Sequence, residues 1–152
     1  MGDLLQPWHI LVIMVLFVLP LFLLPLIFYI LTLSRALRKC SLASVSLEPG
    51  MLWLLLIPFV NLVWHFFVVM GMAKSLANEC RARGIALAEP EPGQPIGIAM
   101  CICGACTIIP LLGLLAGLAH VILWIIYWVK IAEYSRMLDR TAMPVMGQFP
   151  AV

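Results

Sequence analysis

The stretch IGIAMCICGACTIIPLLGLLAGLAHVILWIIYWV, Ile96–Val129, runs for 34 residues without one Asp, Glu, Lys or Arg. A bilayer core of about 30 Å is crossed by about 20 apolar helical residues. The stretch is therefore too long for a single span, and Pro110–Gly113 divides it into two. Working outward, two more uncharged stretches precede it: Trp8–Leu33, of 26 residues, and Met51–Ala73, of 23. Each has the length of one span. The pattern predicts an all-α, polytopic membrane protein, a four-helix transmembrane bundle with proline-kinked helices. The helices are expected at about 8–39, 51–83, 96–109 and 114–138. Residues 1–140 then form a single transmembrane domain and 141–152 a disordered tail.

Composition agrees with this class. Of 152 residues, 64% are hydrophobic and 11% charged, against about 25% charged in soluble domains. Mean hydropathy is +1.13. A net charge of +2 does not suggest nucleic acid as a partner. No Lys or Arg precedes the first stretch, and its 26 residues exceed the roughly 7–15 of a cleavable signal core, so it reads as a retained anchor. The five cysteines are Cys40, Cys80, Cys101, Cys103 and Cys106. An odd number, with three inside one apolar stretch, is not a disulfide framework.

Cations set the expected orientation. Arg35, Arg38 and Lys39 follow the first stretch, Lys74, Arg81 and Arg83 the second, and Lys130, Arg136 and Arg140 the last. With four spans and both termini cytoplasmic, six cations lie inside and three outside. That choice places the chain in the cell inner (plasma) membrane, with Cys40 outside and Cys80 inside. The alternative is that Pro-broken segments re-enter as hairpins, which puts all nine cations on one side. A weak echo links Ile57-Pro58-Phe59-Val60-Asn61 to Ile109-Pro110-Leu111-Leu112-Gly113, each ahead of a stretch with one His and a closing Lys. It is read as coincidence in a low-alphabet sequence rather than as an old duplication.

His65 and His120 are the sharpest polar feature. They lie nine and ten residues before Lys74 and Lys130, and hence at nearly one depth. Two imidazoles at one level could hold haem b or chlorophyll; the plainer reading is hydrogen bonding between helices. Cys101, Cys103 and Cys106 resemble a metal motif but lack a fourth ligand, so no metal site is expected. Gly97, Cys101 and Ala105 instead read as a small-residue packing seam, continued by Gly113 and Gly117 on the last helix. Pro58, Asn61 and Pro110 mark helix breaks, a feature of transporter sites. No carboxylate lies in any apolar core, however, and ion-coupled transport usually needs one. Lys130 with Glu133, and Arg136 with Asp139, sit at spacings for exposed helical ion pairs.

The run Trp53-Leu-Leu-Leu-Ile-Pro58-Phe-Val-Asn61-Leu-Val-Trp64 resembles a signature of an uncharacterised bacterial family of small four-helix membrane proteins. So do Gly113-Leu-Leu-Ala-Gly117 and Trp124-Ile-Ile-Tyr127-Trp128-Val-Lys130. The resemblance covers about residues 20–138 and implies four membrane helices but no activity. The Cys-rich third helix departs from it. No nucleophile triad, zinc-protease motif or phosphate loop is present, and no enzyme is expected. The leading expectation is a membrane subunit or scaffold, with the lipid bilayer and other membrane subunits or a second copy as partners. A haem- or chlorophyll-binding subunit using His65 and His120 is the alternative, and a small-molecule transporter or channel comes third.

Overall fold

The computed structural model describes residues 6–13, 15, 16 and 19–141, and every regular element among them is helical. In chain order these are α1 (Pro7–Ile13), α2 (Leu19–Arg38), a 3₁₀ segment (Pro49–Leu56), α3 (Pro58–Ala82), α4 (Gln94–Cys106) and α5 (Gly113–Arg140). Two of them, α3 and α5, are long and apolar enough to cross a membrane. Residues 142–152, expected to be a disordered tail, lie outside the described residues.

The expected second helix, 51–83, is divided. Its first part is the 3₁₀ segment, and α3 begins only at Pro58. Proline disfavours helical backbone in the residue before it, and Ile57 is extended at φ −89°, ψ 110°. The chain reverses there. The Trp64 indole donates to the Met51 carbonyl at 2.9 Å, and the Ser46 amide donates to the Ser75 hydroxyl at 2.8 Å. The 3₁₀ segment therefore lies antiparallel to α3. Pro58 is a helix start, where its missing N–H leaves nothing unsatisfied, not an interruption within a helix.

A second hairpin joins α4 to α5. Gly93 closes the preceding Pro-rich linker at φ 75°, in the left-handed region, and Pro95 sits in the first turn of α4. The bend spans Thr107–Leu112, and the Gly113 amide donates to the Ile109 carbonyl at 2.7 Å. A Cβ on Gly113 would come within 2.8 Å of the Thr107 carbonyl oxygen, so the bend closes tightly because that side chain is absent. The two hairpins share one plan: a short outgoing segment, an apolar turn, and a long return helix holding one His and then one Lys.

The reversal at Ile57 corrects the expected arrangement of the first two helices. They do not alternate in direction. α2, α3 and α5 all run towards the same end, where the Arg83 guanidinium donates to the carbonyls of Lys39 and Leu138, each at 2.8 Å. Cys40 and Cys80, expected on opposite sides, are both buried at this end. The core lies in the same half of the molecule. Tyr29, Ile30, Leu33 and Leu37 from α2 pack there with Val68, Val69, Met72 and Leu76 from α3, Met100 from α4, and Tyr127, Ile131 and Leu138 from α5.

Candidate functional site

Tyr29 on α2 reaches across to α3 and shares a hydrogen bond with His65 Nε2 at 2.9 Å. Its ring packs against Trp124, Tyr127 and Trp128 of α5, with centroids 5.3, 6.4 and 6.1 Å away. Offset aromatic contacts in this range add to simple area burial. The Trp128 indole donates to the Thr32 hydroxyl at 2.9 Å, completing the α2–α5 contact. His120 Nδ1 lies 2.9 Å from the Met100 carbonyl. A carbonyl only accepts, so that nitrogen carries the proton.

This geometry does not suit a pair of axial ligands. His65 has its Nε2 engaged by a fully buried tyrosine, and packed aromatic rings surround that tyrosine instead of leaving a slot for a macrocycle. The histidines each bond to a neighbouring helix, the pattern expected of polar side chains in apolar surroundings. The Tyr127 hydroxyl and Asn61 Oδ1 are buried without a partner among the described residues. Pro58 leaves no carbonyl for Asn61 to compensate, since the Ile57 amide donates to Leu54 at 3.1 Å.

Among the described residues no group of three or more His, Cys, Asp and Glu could hold a metal ion. Cys101 is buried, and Cys103 and Cys106 are half-buried free thiols. The small residues serve close approach to different degrees. A Cβ on Gly97 would clash with Val69 of α3 and meet Tyr127 of α5 at 2.9 Å. On Gly104 it would meet the His120 ring at 3.0 Å, and on Gly117 only the Thr107 methyl at 3.9 Å. Ala105 is half-buried and Pro110 exposed in the bend.

The second polar cluster caps the end where α2, α3 and α5 converge. Glu79, 4% exposed, accepts from the Ser41 amide and the Ser41 hydroxyl, both at 2.8 Å, and from Arg83 at 2.7 Å. Burial pushes its carboxyl up, but these bonds to the charged form outweigh burial and hold it at about 2. Lys39 donates to the Ser135 hydroxyl at 2.8 Å and to Asp139 at 2.6 Å. Burial drives the Cys40 thiol up to about 12, with the Glu79 charge adding to it, and burial also raises Cys80. Burial thus favours the protonated thiol at both positions.

Sequence reasoning missed this cap because its partners lie far apart along the chain. Lys130, matched by spacing to Glu133, pairs instead with Glu89 of the linker, and Asp139, matched to Arg136, pairs with Lys39. The Lys130 contact lowers the Glu89 carboxyl, helped by the Gly93 amide. Tyr29 gave no signal either, since an aromatic in an apolar helix is ordinary. Glu79 was the one usable hint: a lone acid in the polar extension of α3. No known protein family, curated protein or solved structure matches this chain.

Proposed function

We propose that the protein is a non-enzymatic integral membrane component, a helical scaffold that packs within a larger membrane assembly. One observation carries this reading. The most apolar window of α5, the more hydrophobic of the two long helices, is only 11% buried within the chain. The core helix of a soluble protein is mostly covered by its own fold, whereas Leu114, Leu115, Leu118, Val121, Ile122, Ile125 and Val129 are exposed. So much apolar surface is unstable in water and calls for lipid or another apolar partner. The polar Tyr29–His65 pair lies inside, while the leucines at the start of α5 face outward.

The absence of intramembrane carboxylates in the sequence, together with inter-helix bonding of both histidines, supports a packing role over proton-coupled transport or cofactor binding. Solubilisation in mild detergent followed by affinity purification tests the proposal. Recovery of a stoichiometric membrane partner or a defined homo-oligomer is the expected result. A chain that needs no detergent, or one that purifies as an inert monomer, overturns it. The purified protein is also expected to be colourless; a Soret or chlorophyll band would reinstate the pigment-binding reading.

A further inference from the structure

We infer that residues 49–140 dock into the bilayer from one face only, as two re-entrant hairpins whose apolar tips end inside the hydrocarbon, with Arg35, Lys74 and Lys130 at the headgroup level. The partner is the leaflet itself, its acyl chains around the tips and its phosphates beside the cations. This rests on the membrane reading above and refines it.

Four observations converge. First, the level of the cations agrees on three helices. Lys39 meets Ser135, and Ser41 meets Glu79. Arg35, Lys74 and Lys130 lie four or five residues before Lys39, Glu79 and Ser135 respectively, so each helix becomes cationic about one turn below the cap. Second, the uncharged part of each return helix is shorter than the hydrocarbon core, although the whole helix is not. From Pro58 to Lys74 is about 24 Å and from Gly113 to Lys130 about 25 Å at the helical rise, against a core of about 30 Å.

Third, the tips carry no charge. Phe59 is 91% and Leu111 94% exposed, with Ile57, Ile108, Ile109 and Leu112 exposed beside them. A turn emerging into water on the far side would put these large apolar groups into solvent. Fourth, part of the tip backbone is bonded internally. The amides of Thr107, Ile108 and Ile109 bond to Gly104, Ala105 and Cys106, and the Thr107 hydroxyl also bonds to Gly104. Pro110 has no donor, and Ile57 bonds to Leu54. Irregular backbone tolerates hydrocarbon when its polar groups are satisfied, so these bonds lower the cost of burying the tips; the amides of Phe59, Val60, Leu111 and Leu112 have no such bond among the described residues.

Charge placement follows. Among the described residues, all nine Lys and Arg and all six carboxylates belong to this one end, a net of +3. Three cations are paired, Lys39, Arg83 and Lys130. Arg35, Arg38, Lys74, Arg81, Arg136 and Arg140 remain exposed with no ion pair among the described residues, Arg81 donating to the Pro90 carbonyl, and are positioned for lipid phosphates on the cytoplasmic leaflet.

Single cysteines introduced in the full chain test the inference. The sites are Leu42→Cys, Ala88→Cys, Phe59→Cys and Leu111→Cys, all at exposed positions, so the core is untouched. The wild type, whose native thiols are buried or half-buried, gives the background. A membrane-impermeant maleimide is applied to sealed vesicles of each orientation, after an alkaline carbonate wash. The two loop sites are expected to react from the same side and the two tip sites from neither, with all four reacting in SDS. Loop sites that react from opposite sides, or a tip site that reacts from water, overturn the inference. Release of the chain by carbonate defeats the membrane reading itself, whereas retention with opposed labelling defeats only the hairpin topology.

Discussion

Glu79 shows how one side chain closes the basic end. It is buried yet charged, because two donors from Ser41 and the Arg83 guanidinium replace its water. Its carboxyl is held at about 2 against an ordinary 4.5. A carboxyl depressed in the folded state contributes stability that is complete above the unfolded value and is lost as pH falls through the folded one. Thermal unfolding in detergent should therefore show a loss of stability between about pH 4.5 and 2. Glu79→Gln should flatten that slope and lower the midpoint already at pH 7, since Arg83 and Ser41 lose their charged acceptor. A loss on the order of 3 kcal/mol is expected for breaking a buried pair. Tyr29→Phe should cost less, about 1 kcal/mol, for one orphaned imidazole nitrogen. A variant as stable as wild type would remove the Tyr29–His65 bond from the account.

Among elements, the hairpins depend on small residues that differ in tolerance. Gly97→Ala places a methyl group into Val69 and Tyr127 together. Backbones of α3, α4 and α5 must separate, at about 1–3 kcal/mol, seen as a lower unfolding midpoint. Gly117→Ala meets only ordinary contact and should leave that midpoint within about 0.5 kcal/mol. The sequence treats these glycines as one seam. Only the position of Tyr127 and Val69 separates the critical one from the permissive one. At the tip, Leu111→Asp should reduce membrane insertion, since an Asp deep in hydrocarbon costs about 2.5–3.5 kcal/mol. Leu42→Asp, in the exposed loop at the basic end, should insert normally. Equal recovery of both in carbonate-washed membranes would argue that Leu111 faces water.

For the molecule as a whole, stability and placement come from opposite ends. Packing and the polar cap hold one half together, while the other half offers apolar turns and an uncovered α5. Such a chain should stay with the membrane in carbonate and precipitate when detergent is diluted away. Recovery in detergent-free buffer as a dispersed, helical species would show that α5 finds its cover within the fold.

Helical class and the long apolar stretches were legible without coordinates, because apolar length and missing charge are local properties and the cost of exposing them to water is set by composition. The last two helices occupy Gln94–Cys106 and Gly113–Arg140, where 96–109 and 114–138 were expected. Direction was not legible. Pro58 reads equally as a kink in one long helix or as the first residue of a new one, and only the contacts of Trp64 with Met51 and of Ser75 with Ser46 choose the second. The same holds for charge partners. Spacing along a helix offers Lys130 a neighbour in Glu133, but Glu89 and Asp139 win their cations through the fold, because a contact across 41 or 100 residues depends on how helices pack and leaves no periodic trace in the chain.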